Sequence, residues 1–476
     1  MVKKYVLLIM VILLIGSCQT QKNDNSIHGT WESIGYGKIL KIEDDDYKLY
    51  DVTKISCLPI EQGQLSKFGR NISVKNDTLS VSIGIGKYLY KRLHSFPKLC
   101  SMKLSDEKRN DPIYNFEVFS QTIKSHFAYF QENKINWDSL YAETRFKINS
   151  KTSDMELYLA LENIINALND NHGYIEPSDD VYKQMEKPIA QSEKVEDTEN
   201  TRKYGDFEIA QLVFDHYVEE DFTNDSWLMK WGKMKNNVGY VQVKSMWLYA
   251  DLNLSDSLVQ QNGFVNTYVE AFNKLSEEEY IEKERKGVAS ILDMAINDLK
   301  ETKHLIVDVR FNGGGQDVVG LEILKRFNDN KIKIATKKAV NNLSYTNEIP
   351  IYLEAATNPY TKPVFLLTSR QTASAADFFA LGSLRLDNVK RIGSNTNGAL
   401  SDALEKQLPN GWYFSVSNEV YEDTNGKCYE NKGIPVDVEL NYSDNRQTFF
   451  GNIANNLEKE KENTLRAIDG FYVDQR

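Results

Sequence analysis

Ser374 stands where two kinds of sequence meet. Residues 364–380 read VFLLTSRQTASAADFFA: an apolar run of strand length over 364–367, a polar turn over 368–372, and helical composition from Ser374 onward. In the first turn of a helix the N–H groups, beginning with that of Ala375, have no intrahelical acceptor, and the helix dipole adds partial positive charge. An oxyanion formed by attack of the Ser374 hydroxyl would therefore meet ready donors. The same position also suits a plain N-cap, because serine caps helices well. A second stretch, HLIVDVRFNGGG over 304–315, changes the balance. Its apolar run at 305–309 fits a strand buried on both faces, and the glycines after it let the backbone approach a ligand closely. Gly314 and Gly315 are thus candidates for a second oxyanion donor.

Taken together, DVRFNGGG and TASAADFF resemble the core of the C-terminal processing (tail-specific) protease family, in its tricorn-core and retinoid-binding-protein-like branches. The resemblance implies an α/β catalytic domain of Clp protease/crotonase-like fold. It also implies a serine peptidase that cuts peptides or unfolded protein segments through an acyl-enzyme on Ser374. Two further stretches extend it. NWDSLYAETR and LNDNHGYIEP resemble the helical entry of the tricorn-core branch, where a histidine motif precedes the catalytic domain; the matching residue is His172. YENKGIPVDVEL resembles an ExxGxxPD element with PVD in place of PD, and its acid is Glu430. With gaps, the resemblance runs over 111–440.

A serine hydroxyl needs a base to take its proton. One branch of the family uses a lysine downstream of the serine, but the matching position here is Ala399, and NTNGALSD contains no lysine. Lys390 and Lys406 lie outside the motif. The tricorn-core branch uses histidine, the residue before it and a glutamate, which correspond to His172, Asn171 and Glu430. Histidine's ordinary pKa near 6.5 suits proton transfer at neutral pH, and a carboxylate could orient its ring. His28, His94, His126, His216 and His304 fall in no motif, and no HExxH or Cys/His ligand spacing occurs, so neither metal nor cofactor is expected. The competing reading is a non-catalytic ligand- or peptide-binding lipoprotein on the same fold. The missing lysine favours it; the retained serine, histidine and glutamate oppose it.

The elements that must position these residues follow from the chain as a whole. With 476 residues, 41% hydrophobic and 26% charged, the sequence has the make-up of a globular protein of roughly two to four domains. A net charge of −11 and the absence of a basic cluster exclude a nucleic-acid partner. MVKK, an apolar run over 5–15 and IGSC resemble a bacterial lipoprotein signal with lipid attached at Cys18. That implies a signal peptide over 1–17, a tether over 18–27 and a lipid anchor in the cell envelope, at the outer membrane. No later run has the length of a membrane span. Alternating strands and turns over 28–104 read as a small antiparallel β domain expected to fold by itself, so that a chain starting near Ser105 would not need it. Cys57 and Cys100 flank that region, as a disulfide or as free thiols. Residues 105–178 read as a helical segment carrying His172, with Ser153 and Glu156 as a capping box. A polar linker is expected over 179–205 and the peptidase domain over 206–476, with no PDZ pattern. Metabolic labelling with a fatty acid should mark the wild-type protein and leave Cys18→Ala unmarked; equal labelling of both would refute lipidation there.

Overall fold

The computed structural model describes residues 26–68, 70–186, 202–224, 226–342 and 344–473. Cys18 and most of the tether lie outside these residues, as does 187–201 of the expected linker. Seven strands, Gly29–Ser33, Lys38–Glu43, Asp46–Val52, Cys57–Gln64, Asn71–Lys75, Thr78–Ile83 and Gly86–Leu93, form one antiparallel sheet. The first strand sits in the middle, between the second and the seventh. Asn76 and Asp77 both take positive φ, 51° and 56°, which a two-residue hairpin turn requires and which short polar side chains tolerate. Trp31, Leu40, Ile42, Leu79 and Val81 make its core. A disulfide joins Cys57 to Cys100, and Cys428 is free.

Three helices follow, Pro112–His126, Trp137–Lys147 and Asp154–Leu168. The Ser153–Glu156 capping box forms, and Asn169 ends the third helix in the left-handed conformation at φ 49°. Phe116, Phe119, Ile123, Leu157, Leu161, Ile164 and Leu168 pack together at helical spacing. The helical segment does not stop at a linker. Tyr174–Glu176 pairs antiparallel with Tyr413–Ser417, which pairs in turn with Ala403–Gln407, so that three-stranded sheet crosses the expected boundary. Asp179–Glu186, the start of the expected linker, is helical.

The α/β part is built on a mostly parallel sheet in the order Val438–Glu439, Val389–Gly393, Val364–Thr368, Leu305–Asp308, Val238–Val243, Met229–Met234, Glu220–Asp221. Its inner strands are buried on both faces, which is why they read as continuous apolar runs. Leu305, Val307, Val364 and Leu366 face helices Glu277–Leu299, Asp317–Lys325 and Ala375–Ser383. Ile306, Phe365 and Leu367 face Asp206–Tyr217, Arg446–Asn455 and Leu457–Val473. The helices before Leu305 are separate. Phe264–Phe272 ends before Glu277–Leu299 begins, and the Ser276 side chain caps the second helix.

The N-terminal sheet is not an independent appendage. Lys406, on Ala403–Gln407, is buried and donates to Asp51 at 2.8 Å and to the carbonyls of Tyr36 and Gly37. The Tyr36 hydroxyl donates to buried Glu419 at 2.5 Å, and Lys337 donates to the same carboxylate at 2.9 Å. Burial pushes the Lys406 ammonium down to about 8 against the pull of Asp51. Burial likewise pushes the Asp51 carboxyl up, but Lys406 and Lys38 outweigh it and hold Asp51 below its ordinary value. Lys38 also pairs with Asp51, at 3.1 Å, so Lys406→Met would leave that carboxylate one cation and take the donor from the Tyr36 and Gly37 carbonyls. It should cost about 1–3 kcal/mol in a denaturant titration, and Asp51→Leu added to it should deepen the loss, because Lys38 then loses its partner as well.

Candidate active site

The turn between Val364–Thr368 and Ala375–Ser383 is strapped to the glycine loop before any catalysis is considered. Ser369 Oγ donates to the Arg310 carbonyl at 2.6 Å, Thr372 Oγ1 to the Val309 carbonyl at 2.8 Å, and the Ala373 N–H to the Asn312 carbonyl at 3.1 Å. Asn312 is wholly buried and bridges further, donating from Nδ2 to the Val243 carbonyl and accepting from the Gly314 N–H at 2.9 Å. Beneath them Arg310, with no exposure, forks onto Asp308 and reaches Glu460 at 2.8 Å, while the Tyr240 hydroxyl also donates to Asp308. A guanidinium buried this deeply needs both carboxylates to offset its lost hydration.

Ser374 is held in a conformation that serine rarely adopts, φ 56° and ψ −123°. Such strain costs on the order of 1–3 kcal/mol and persists only where the surroundings enforce it. The enforcing group is Asp377, one turn into the helix and fully buried. It accepts from the Ser374 N–H at 3.0 Å, the Gly398 N–H at 2.8 Å and the Ala399 N–H at 2.9 Å. Burial raises its pKa to about 6, opposed by Thr396 and the three N–H groups. Ala399 thus lies at the site, as its motif position implies, but carries only a methyl group. The plain N-cap reading fails, because the Ser374 side chain makes no capping bond. Its Oγ lies 3.4 Å from His172 Nε2.

His172 arrives on a turn anchored by Asp170. That carboxylate accepts from the His172 N–H at 3.0 Å and from the N–H and hydroxyl of Ser417, at 2.8 and 2.6 Å, and the Ser415 hydroxyl donates to the His172 carbonyl. Burial lowers the His172 pKa, with Asp170 and then Asp402 opposing. Its Nδ1 is buried without a partner among the described residues.

Three sequence expectations need correction. Glu430 does not bond His172: its Oε2 accepts from the Leu400 and Ser401 N–H groups at 2.9 and 3.1 Å, and burial raises its pKa to about 8. Asn171 bonds Asn431 and the Gly398 carbonyl instead of serving the histidine. The Gly314 N–H is taken by Asn312, so it is not a free oxyanion donor. No bond from the Gly315 or Ala375 N–H occurs among the described residues, and these two remain open. Gly314 has a different use: with φ 106°, any Cβ there would lie 2.7 Å from both the Ala373 carbonyl oxygen and Ser374 Cβ. The lysines are elsewhere in role, Lys406 in its ion pair with Asp51 and Lys390 on the strand Val389–Gly393. Among the described residues no cluster of metal-ligating side chains occurs.

Asp377, Asp170, Asn312 and Arg310 were not singled out from the sequence. Asp377 was in plain view in TASAADFF, yet its role depends on Gly398 and Ala399 folding back over it.

Comparison with known proteins bears on the fold. Residues 237–440 match the family model described as Peptidase family S41. The fold is similar to that of a putative peptidase from Parabacteroides merdae ATCC 43184, with 19% identity, TM-score 0.53, 73% of this chain and 97% of that one covered. It is likewise similar to mature CPAF complexed with lactacystin, with 11% identity, TM-score 0.53 and coverage of 76% and 99%. The fold class is therefore that of S41 peptidases, an antiparallel sheet and helical region at the N-terminus followed by the α/β domain.

Asp377→Ala would leave three buried N–H groups without an acceptor, at about 1–3 kcal/mol each. The expected result is a lowered melting temperature together with slowed labelling of Ser374 by a fluorophosphonate probe.

Proposed function

We propose that the protein is a serine endopeptidase that hydrolyses peptides or unfolded protein segments, with Ser374 as nucleophile and His172 as base. The observation that carries this reading is the strained Ser374, its hydroxyl uncapped and 3.4 Å from His172 Nε2, beside the open N–H groups of Ala375 and Gly315. The S41 match over 237–440 supports the same reaction class. A lipid anchor at Cys18, holding the enzyme at the envelope membrane, belongs to the same proposal and rests on residues 1–18.

Ser374 Oγ attacks the substrate carbonyl carbon while its proton passes to His172 Nε2. The tetrahedral oxyanion lies against the Ala375 and Gly315 N–H groups, at the positive end of the helix Ala375–Ser383. As the C–N bond breaks, His172 returns the proton to the leaving amine. Water then attacks the acyl ester and gives a proton to His172, which passes it to Ser374 Oγ as the acyl C–O bond breaks, releasing the new carboxyl end and restoring serine and neutral histidine. For Nε2 to accept, the neutral ring carries its proton on Nδ1, the nitrogen that lacks a partner among the described residues. The acids that bear on the ring are Asp170 and then Asp402, both favouring its protonated form.

Ser374→Ala and His172→Ala should each lower kcat by on the order of 10⁴-fold or more, and the double variant should be little worse, because the two act as a unit. Glu430→Gln should cost less. The base must be neutral, and burial depresses its proton affinity, so activity should persist down through pH 6.5 and fall only below it. A folded His172→Ala protein with full turnover would sink the assignment.

A further inference from the structure

A cavity of about 400 Å³ lies between the N-terminal sheet and the strand Ala403–Gln407, walled by Leu49, Val81 and Tyr90 on one side and by Leu404 on the other. Among the described residues Ala403–Gln407 is an edge strand, paired only with Tyr413–Ser417. The outward row of its backbone is identified by Gln407, whose N–H turns away from the sheet to Asp51 at 3.1 Å. In an antiparallel ladder that direction repeats every second residue, so the N–H and C=O groups of Glu405 and Ala403 face the cavity, and no bond from either N–H occurs among the described residues. An exposed row of this kind is a template for a further strand.

The strand is tied to the segment that carries His172. Glu405 stands opposite Ser415, whose hydroxyl holds the His172 carbonyl, and Tyr174, two residues past His172, donates to Glu405 at 2.8 Å. Asp402, at the near end, bears electrostatically on His172. Charge at the mouth is one-sided. Asp402, Glu405, Glu61 and Glu277 line it; among the described residues Arg70 is shared between Glu61 and Glu277, Lys337 lies 3.6 Å from Asp402, and Glu405 accepts from Tyr174. The cations deeper in, Lys38 and Lys406, are both taken by Asp51.

Building on the peptidase reading, we infer that an extended substrate segment adds to the Ala403–Gln407 edge and that the acidic mouth selects segments carrying lysine or arginine. Side chains of an added strand alternate in direction, so every second one enters the apolar cavity beside Leu404 while those between lie on the face of Glu405. The substrate class is therefore an unfolded chain in which basic and apolar residues alternate. The N-terminal sheet supplies one wall of the groove, which gives it a part in substrate choice.

The test uses the full chain with Ser374→Ala and two fluorescein-labelled peptides, one alternating lysine with leucine and one with glutamine in place of lysine. Anisotropy should show the lysine peptide binding about tenfold tighter, and Glu405→Lys or Ala403→Pro should each remove about tenfold of its affinity. Glu405 is exposed, so Glu405→Lys decides the matter should Ala403→Pro fail to fold. Equal binding of both peptides, or lysine-peptide binding unchanged by Glu405→Lys, overturns the inference. The peptidase reading is checked apart from it, by fluorophosphonate labelling of the wild type. Labelling without peptide preference removes the docking groove alone; peptide preference without labelling removes the peptidase and keeps the groove.

Discussion

The buried carboxylate of Asp377 is the constraint on which the site depends. Three backbone N–H groups from two separate segments converge on it, those of Ser374, Gly398 and Ala399. By gripping the Ser374 amide it keeps the residue in a backbone region that serine avoids, and so keeps the hydroxyl off the helix end and turned to His172. Withdrawing a carboxylate from water is costly, as its raised pKa records, and the three N–H groups offset part of that cost.

The parallel sheet explains why these parts meet. Leu305–Asp308 and Val364–Thr368 are neighbours running the same way, so the loops after them, carrying Gly313–Gly315 and Ser374, emerge side by side at the carboxyl ends of the strands. Ligands in open α/β sheets bind at such an edge. Arg310 and Asn312 then fix the distance between the loops, one by a buried ion cluster and the other by bridging to Val243. His172 comes from outside this sheet altogether. It reaches Ser374 because Tyr174–Glu176 joins Tyr413–Ser417, which ties the helical region to the peptidase domain through backbone bonds.

The N-terminal sheet shows where reading a chain piece by piece fails. Its alternating pattern and turns are self-sufficient and correctly suggest antiparallel strands. Nothing in that pattern reveals that Asp51 and Tyr36 find their partners in Lys406 and Glu419, more than 300 residues later. A polar residue that completes a distant buried pair looks the same in sequence as one facing solvent.

By itself the sequence determined the elements and the actors. Apolar runs fixed the inner strands, the Ser153–Glu156 box fixed the start of a helix, and the two glycine and serine motifs marked the loops, because these depend on local periodicity and capping. Ser374 stood out through its strand, turn and helix context, whereas His172 was reached only through the resemblance to the tricorn-core branch. Only the tertiary structure decided which groups hold which. It assigned Glu430 to the Leu400 and Ser401 amides, Asn171 to Asn431, the Gly314 N–H to Asn312, and the grip on Ser374 to Asp377. Those choices turn on which buried donors lack an acceptor once the segments have met, and that shortage does not exist until the chain is folded.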